Sequence, residues 1–244
     1  MTQYDNRYAQ AATTARTGAA VDEGLRSYML GVYNYMSAGV ALTGVVAYAV
    51  AAWAQSDPAV YQALYLSPLK YVLMISPLAF VLVLSFGLHK LSAQATQMVF
   101  WAFAAMMGVS LSTIFVVFTN SSIAQTFFVT AAAFASLSIY GYTTKRDLSG
   151  WGSFLIMGVV GLILATVVNW FLQSSALQFA VSVIGLLVFA GLTAYDTQRI
   201  KDEYLVIRHN AELVAKASVM GALSLYLDFV NMFQFLLSFM GSNE

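Results

Sequence analysis

The chain has 244 residues, 60% of them apolar and only 9% charged, and its mean hydropathy is +0.74. Soluble domains carry roughly 25% charged residues, so so few charges cannot cover the water-facing surface of a fold of this size, and the solvent over most of it is lipid. Eleven basic and eleven acidic residues cancel and there is no Cys, which excludes a nucleic-acid binder, a disulfide scaffold, thiolate metal sites and Cys nucleophiles.

Met1–Gly24 is polar and Ala/Thr-rich and lacks the apolar run of a signal peptide. It reads as a cytosolic tail, with residues 1–28 set apart from a membrane domain at 29–241. Seven apolar stretches follow: Leu30–Ala54, Leu69–Leu88, Met98–Thr119, Ile123–Tyr140, Phe154–Leu172, Leu177–Tyr195 and Val219–Met240. A helix needs about 20 residues to cross the hydrocarbon, and the fourth stretch falls furthest short of that. Gly158–Val168 is apolar at nearly every position, without the alternation of a barrel strand. The expected fold is an all-α integral membrane protein, a bundle of seven transmembrane helices.

Charge sets the expected orientation. Arg7, Arg16 and Arg26 precede span one; Lys90, Lys145 and Arg146 lie in the loops after spans two and four; Arg199, Lys201, Arg208 and Lys216 lie between six and seven. Lys70 alone lies on the other side. The positive-inside rule then puts the amino terminus in the cytoplasm and the carboxyl end, Asn243 and Glu244, outside. His89 and His209 sit beside these basic residues and read as surface histidines.

Within the spans, Gly31, Gly39, Gly44, Gly158, Gly161, Gly185 and Gly191 are expected to let helices approach closely. Pro77, in the middle of span two, removes one helical hydrogen bond and should bend it. A loop of roughly twenty residues is expected between spans six and seven, with Asp196 about one turn inside the cytoplasmic end of the sixth.

Asp228 lies in the middle of span seven. A carboxylate facing lipid there would cost several kcal/mol, so it should face the bundle interior. Ser224, Asp228, Asn231 and Ser238 share one helical face and form an expected inward polar stripe. Spans six and seven are antiparallel, which brings Asp196 towards Asp228. Two close carboxylates in a low dielectric titrate as a coupled pair and can hold a divalent cation such as Ca²⁺. This makes a pH-responsive cation site, metal-binding through Asp196 and Asp228, with Tyr195, Ser224 and Asn231 as polar neighbours. Other readings stay open: Asp196 paired only with Arg199 or an inner-loop Lys, Asp228 anchoring only a hydrogen-bond network, or two acids activating water as in intramembrane aspartyl proteases. No substrate-positioning motif, HExxH or phosphate-binding loop accompanies them, so no enzyme and no resident cofactor are expected.

Val32-Tyr33-Asn34-Tyr35-Met36, Tyr195-Asp196-Thr197-Gln198 and Leu223-Ser224-Leu225-Tyr226-Leu227-Asp228-Phe229-Val230-Asn231 resemble the bacterial Bax inhibitor 1 family, also called transmembrane BAX inhibitor motif proteins. The likeness covers about residues 25–241. It implies a seven-helix protein of the bacterial inner membrane with a closed central pore, a paired-aspartate pH sensor at Asp196 and Asp228, and passage of Ca²⁺ down its gradient. The family's auxiliary acid in span two has no counterpart, since Leu69–Leu88 contains no Asp or Glu, and the charged extension of eukaryotic members is missing after Glu244. The expected activity is a pH-sensitive calcium leak channel, its partners being lipid, Ca²⁺ and protons and not nucleic acid. The alternative is a non-transporting inner-membrane regulator that binds another membrane-protein complex through the Arg199–Lys216 segment.

Overall fold

The computed structural model describes residues 2–87 and 90–242; Leu88, His89, Asn243 and Glu244 lie outside the described residues. The helices are α1 (Thr2–Ser56), α2 (Pro58–Tyr61), which runs into a π turn at Gln62–Leu66, α3 (Leu69–Gly87), α4 (Ala93–Leu111), α5 (Ile114–Val117), α6 (Asn120–Thr143), α7 (Ser149–Leu172), α8 (Ser175–Ile207) and α9 (Ala211–Met240). Seven helical stretches are long and apolar enough to cross a membrane: Val21–Ser56, α3, Ala93–Val117, α6, α7, α8 and α9. Helix α1 passes through residue 28 without a break.

The helices start where side chains accept the free N–H groups of a first turn. Ser92, Thr119 and Ser174 cap α4, α6 and α8 through Ala95, Ser122 and Leu177. Asn210 caps α9, accepting from Glu212 and Leu213 at 3.1 Å each. In the α6–α7 connection the Asp147 carboxylate accepts the Ser149 N–H at 2.8 Å, and its hydrogen bonds from Ser149 hold it below the usual carboxylate range. Helix α7 ends on Gln173 in the left-handed conformation (φ 48°), and Asn169 Oδ1 accepts the next N–H, from Ser174, at 3.0 Å.

The expected twenty-residue loop between spans six and seven is not there. Helix α8 continues to Ile207 and α9 begins at Ala211, so only Arg208–Asn210 connect them. The charged residues that end the apolar stretch at Tyr195 are mostly good helix formers, and the two helices run on beyond the apolar stretches as a charged hairpin. Asp196 accordingly lies three turns inside its helix rather than one turn from the end.

Helix α9 is the axis of the bundle. It is packed by α1, α4, α6 and α8, while α3 leans on α4 and α7 on α8. Span seven is the most enclosed of the seven and spans two and five the least. Large apolar residues such as Phe154, Met157, Ile163 and Phe171 on α7 and Val72, Met74 and Ile75 on α3 face outward, as expected of residues whose solvent is acyl chain. The core around α9 is aromatic: Phe100, Phe103 and Tyr226 are fully buried, with Phe103 and Tyr226 edge to face at 5.2 Å. Between lipid-bathed helices such close packing, rather than release of water, supplies the attraction.

Pro77 is buried inside α3. It cannot bond back to the carbonyl of Leu73, and the Ser76 hydroxyl donates to that carbonyl instead, at 2.9 Å. The expected packing role of the glycines holds in part. A side chain on Gly39, Gly158, Gly185 or Gly191 would run into Phe100, Val188, Phe235 or Leu155, but Gly44 and Gly161 face open space.

Candidate functional site

Helix α8 distributes the residues that follow Leu192 over three neighbouring helices. Ala194 meets α6 at Gly141, where any side chain would collide with the Ala194 carbonyl; glycine is what permits this approach. Tyr195 lies over Gly152 of α7, its ring atoms 2.5–2.8 Å from where a Cβ would be. Thr197 bonds Ser138 of α6 at 3.0 Å, and Ser138 bonds Tyr33 of α1 at 2.5 Å. Gln198 accepts the Leu148 N–H at 2.7 Å and donates to the Arg146 carbonyl at 2.9 Å, which ties the α6–α7 connection to α8. Lys201 donates to the Tyr142 carbonyl at 3.0 Å, near the end of α6.

Asp196 lies on α8 and Asp228 on α9, the two helices most extensively packed together. Ile200 packs on Gly221, the Arg199 Nη2 donates to the Ser224 hydroxyl at 3.0 Å, and the Thr193 hydroxyl reaches the Met232 sulfur at 3.4 Å. These contacts set Asp196 opposite the turn 225–229, which contains Asp228. Both acids are buried, with 8% and 3% of their surface exposed. The same Arg199 nitrogen binds Asp196 Oδ1 at 2.9 Å, so one guanidinium joins Asp196 to the residue one turn before Asp228. Asp228 lies in the electric fields of both Asp196 and Arg199. Its Oδ2 is buried without a hydrogen-bond partner among the described residues, as are the Tyr28 hydroxyl and Thr126 Oγ1.

The inward polar stripe expected on span seven is corrected by these positions. Asp228 is buried, Ser224 and Asn231 are half-buried, and Ser238 is exposed. Asn231, Gln234 and Ser238 each bond the carbonyl four residues earlier, Leu227, Val230 and Gln234, at 2.8, 3.4 and 2.9 Å. A side chain that bonds its own helix needs no partner across the bundle, so these residues do not have to face inward. Leu223, Val230 and Leu237 are as buried as Asp228, because α9 is surrounded. Of the expected neighbours, Ser224 reaches the acids through Arg199, Asn231 bonds its own helix, and Tyr195 lies between α7 and the Arg199 guanidinium, which is 5.9 Å from its ring.

A cavity of about 420 Å³ opens on the hairpin side of Arg199, lined also by Tyr195, Asp202 and Glu203. On the opposite side of Asp228 the bundle is shut by rings. Phe229 lies 5.6 Å from Phe127 and 5.7 Å from Phe134, and Phe127 is 6.5 Å from Phe233. The Tyr226 hydroxyl pairs with Thr43 at 2.7 Å, and Thr43 also reaches the Ala104 carbonyl at 2.8 Å. Among the described residues no group of three or more His, Cys, Asp or Glu is placed to hold a metal ion.

The Tyr33–Ser138–Thr197 chain was not anticipated. Its one sequence signal is Thr193 and Thr197, four residues apart beside Asp196; Tyr33 and Ser138 come from distant parts of the chain.

A family model described as "Inhibitor of apoptosis-promoting Bax1" matches residues 25–244. The chain belongs to this family. It is 47% identical over 224 residues to the inner membrane protein YbhL of Escherichia coli K12, covering 91% of this chain and 94% of that one. It is 43% identical over 253 residues to a protein of Caulobacter vibrioides, covering all of both chains, and 43% identical over 237 residues to the protein RP147 of Rickettsia prowazekii, covering 97% and 98%. Membership in the Bax inhibitor 1 family places the chain among non-catalytic membrane proteins. With its spans and its likeness to YbhL, it is a multi-pass protein of the inner membrane. The resemblance drawn from the Tyr195–Gln198 and Leu223–Asn231 segments is therefore correct, and those segments lie on the two packed helices α8 and α9.

Proposed function

We propose that this Bax inhibitor 1 family protein is a pH-sensitive cation leak favouring Ca²⁺, regulated by Asp196 and Asp228, with its amino terminus in the cytoplasm and its carboxyl terminus outside. The observation that carries this reading is the Asp228 carboxyl, buried in the most enclosed span with one oxygen unpartnered. A buried ionisable group without full pairing is costly and is retained where it has a use.

Arg199 supplies the resting counter-charge. Its guanidinium occupies Asp196, so a proton or a divalent cation arriving through the cavity beside Asp202 and Glu203 competes with a cation the protein already carries. Ca²⁺ takes six to eight oxygens. Two carboxylates supply a minority of these, and water and carbonyl oxygens must complete the shell, which suits a transient ion better than a resident one. Passage requires the Phe127, Phe134 and Phe229 rings to part, and α9 would have to shift against α1 and α6. The positive-inside distribution of Lys and Arg supports the orientation.

The test is Ca²⁺ flux into liposomes containing the protein, measured across a pH series for wild type and Asp228→Asn. Flux should vary with pH in the wild type and lose that dependence in the variant. Equal fluxes from both proteins at every pH would overturn the proposal.

The hairpin tip supports a second reading, a regulator docked on another membrane protein. Val206 is 80% exposed there, with Leu205 and Leu213 beside it. Affinity purification should then recover a stoichiometric partner that is lost on Val206→Asp, with no ion flux from the purified protein.

A further inference from the structure

Helices α1 and α6 lie side by side and scarcely touch. The Tyr33–Ser138 hydrogen bond crosses between them, and on its outer side two cavities of about 560 and 690 Å³ follow one another along the seam. Both are lined by Tyr33 and Phe134, so they form one groove. Each lies within the roughly 300–1,000 Å³ of ordinary ligand sites. The walls carry small residues: Ser37 and Ala41 on α1, Ala131 and Ala135 on α6. The floor of the larger cavity includes Phe229 and Val230 of α9.

The groove is apolar except at one end. There the smaller cavity is lined by Asp22 and Arg26, one turn apart on α1 and both exposed. Neither makes an ion pair among the described residues. Arg26 lies four residues before Leu30, where the apolar stretch of α1 begins, so the two charges stand at headgroup level beside a slot that runs into the hydrocarbon. From Leu30 to Val40 the slot descends on the order of 15 Å, about half of a 30 Å hydrocarbon core, which is the depth of one leaflet.

We infer that the α1–α6 groove binds one aminophospholipid, with its acyl chain between Tyr33, Ser37 and Ala135, its phosphate on Arg26 and its ammonium on Asp22. Arg26 by itself would accept any phospholipid phosphate. Asp22 on the same face repels a headgroup with net negative charge and matches a phosphate that carries an amine. The pairing of opposite charges at the mouth is what selects phosphatidylethanolamine over phosphatidylglycerol. The bound chain packs against Phe229 and Val230 of α9 and does not line up with the acids themselves, so lipid retention can be measured apart from ion flux.

The experiment is native mass spectrometry of the full-length protein in detergent with equimolar phosphatidylethanolamine, phosphatidylglycerol and phosphatidylcholine. Wild type should retain one phosphatidylethanolamine in preference to phosphatidylglycerol. Arg26→Gln should lower that retention about tenfold, the equivalent of one charge-assisted hydrogen bond. Asp22→Asn should remove the preference over phosphatidylglycerol. Ser37→Phe with Ala135→Trp, both at exposed positions, should block the slot and abolish retention while leaving the helix content and thermal transition in place. Asp228→Asn should leave lipid retention unchanged. Equal retention of the three lipids means an annular lipid only and overturns the inference. So does retention that survives the blocked groove, or a dimer mass that disappears when the groove is blocked, which would make the seam a contact between copies of the chain.

Discussion

Asp228→Asn separates a functional acid from a structural one by the sign of its effect on stability. Asp228 Oδ2 is buried without a partner, and the carboxyl stands in the field of a second acid, Asp196. An unsatisfied buried polar atom costs about 1–3 kcal/mol. Asparagine keeps the shape, carries no charge, and turns an N–H towards a region that already holds a carboxylate acceptor. The variant should therefore be more stable than wild type by about 1 kcal/mol, the lower figure applying because polar interactions inside membranes are weaker than their burial implies. For a chain of this length that is a rise of about 2–4 °C in Tm. The assay is thermal unfolding in detergent at pH 8, where ordinary carboxyls are ionised, followed by intrinsic fluorescence. A fall in Tm of the same size would mean that Asp228 anchors a satisfied hydrogen-bond network, and the argument from its unpartnered oxygen would be wrong. A gain in stability with a loss of pH-dependent flux is the trade seen where a site is kept strained for use.

Arg199→Gln leaves Asp196 buried without its counter-charge; because the arginine is about half exposed (47% of its side chain), the expected loss is about 1–2 kcal/mol rather than that of a fully buried pair. In the flux assay the same variant should leak more Ca²⁺ at rest, and an unchanged leak would remove Arg199 from the mechanism. Gly141→Ala drives a methyl into the Ala194 carbonyl, a backbone atom with little room to move. It should destabilise the protein by about 3 kcal/mol, read as a lowered Tm. Tyr226→Phe removes the hydrogen bond to Thr43 inside the aromatic core and should cost about 1 kcal/mol with the helix content unchanged by circular dichroism.

Seven spans were legible because a membrane crossing is written in length and hydropathy, and the carboxyl in the middle of the last one marked itself as costly. What lay hidden were features that hydropathy does not record. The charged hairpin Arg199–Lys216 resembles a loop when only apolar residues are counted, yet Asn210 followed by Glu212 and Leu213 is a helix-start pattern that closes the connection to three residues. The polar residues after Asp228 share a face, which is the spacing of an inward stripe. They turn out to bond their own helix, and spacing cannot distinguish that from a contact across the bundle. Gly44 and Gly161 carry the same local signature as Gly39 and Gly158, but whether a second helix lies opposite depends on the packing of the bundle. The link from Thr197 through Ser138 to Tyr33 joins residues more than a hundred positions apart, a relation no local pattern encodes.

The Gln198 side chain holds the Leu148 amide and the Arg146 carbonyl from a position two residues beyond Asp196. Any rotation or slide of α8 that pulls Gln198 away must release the Leu148 proton to exchange. Deuterium uptake at that one amide thus offers a gauge of motion in the interior, readable without an attached probe or a bound ion.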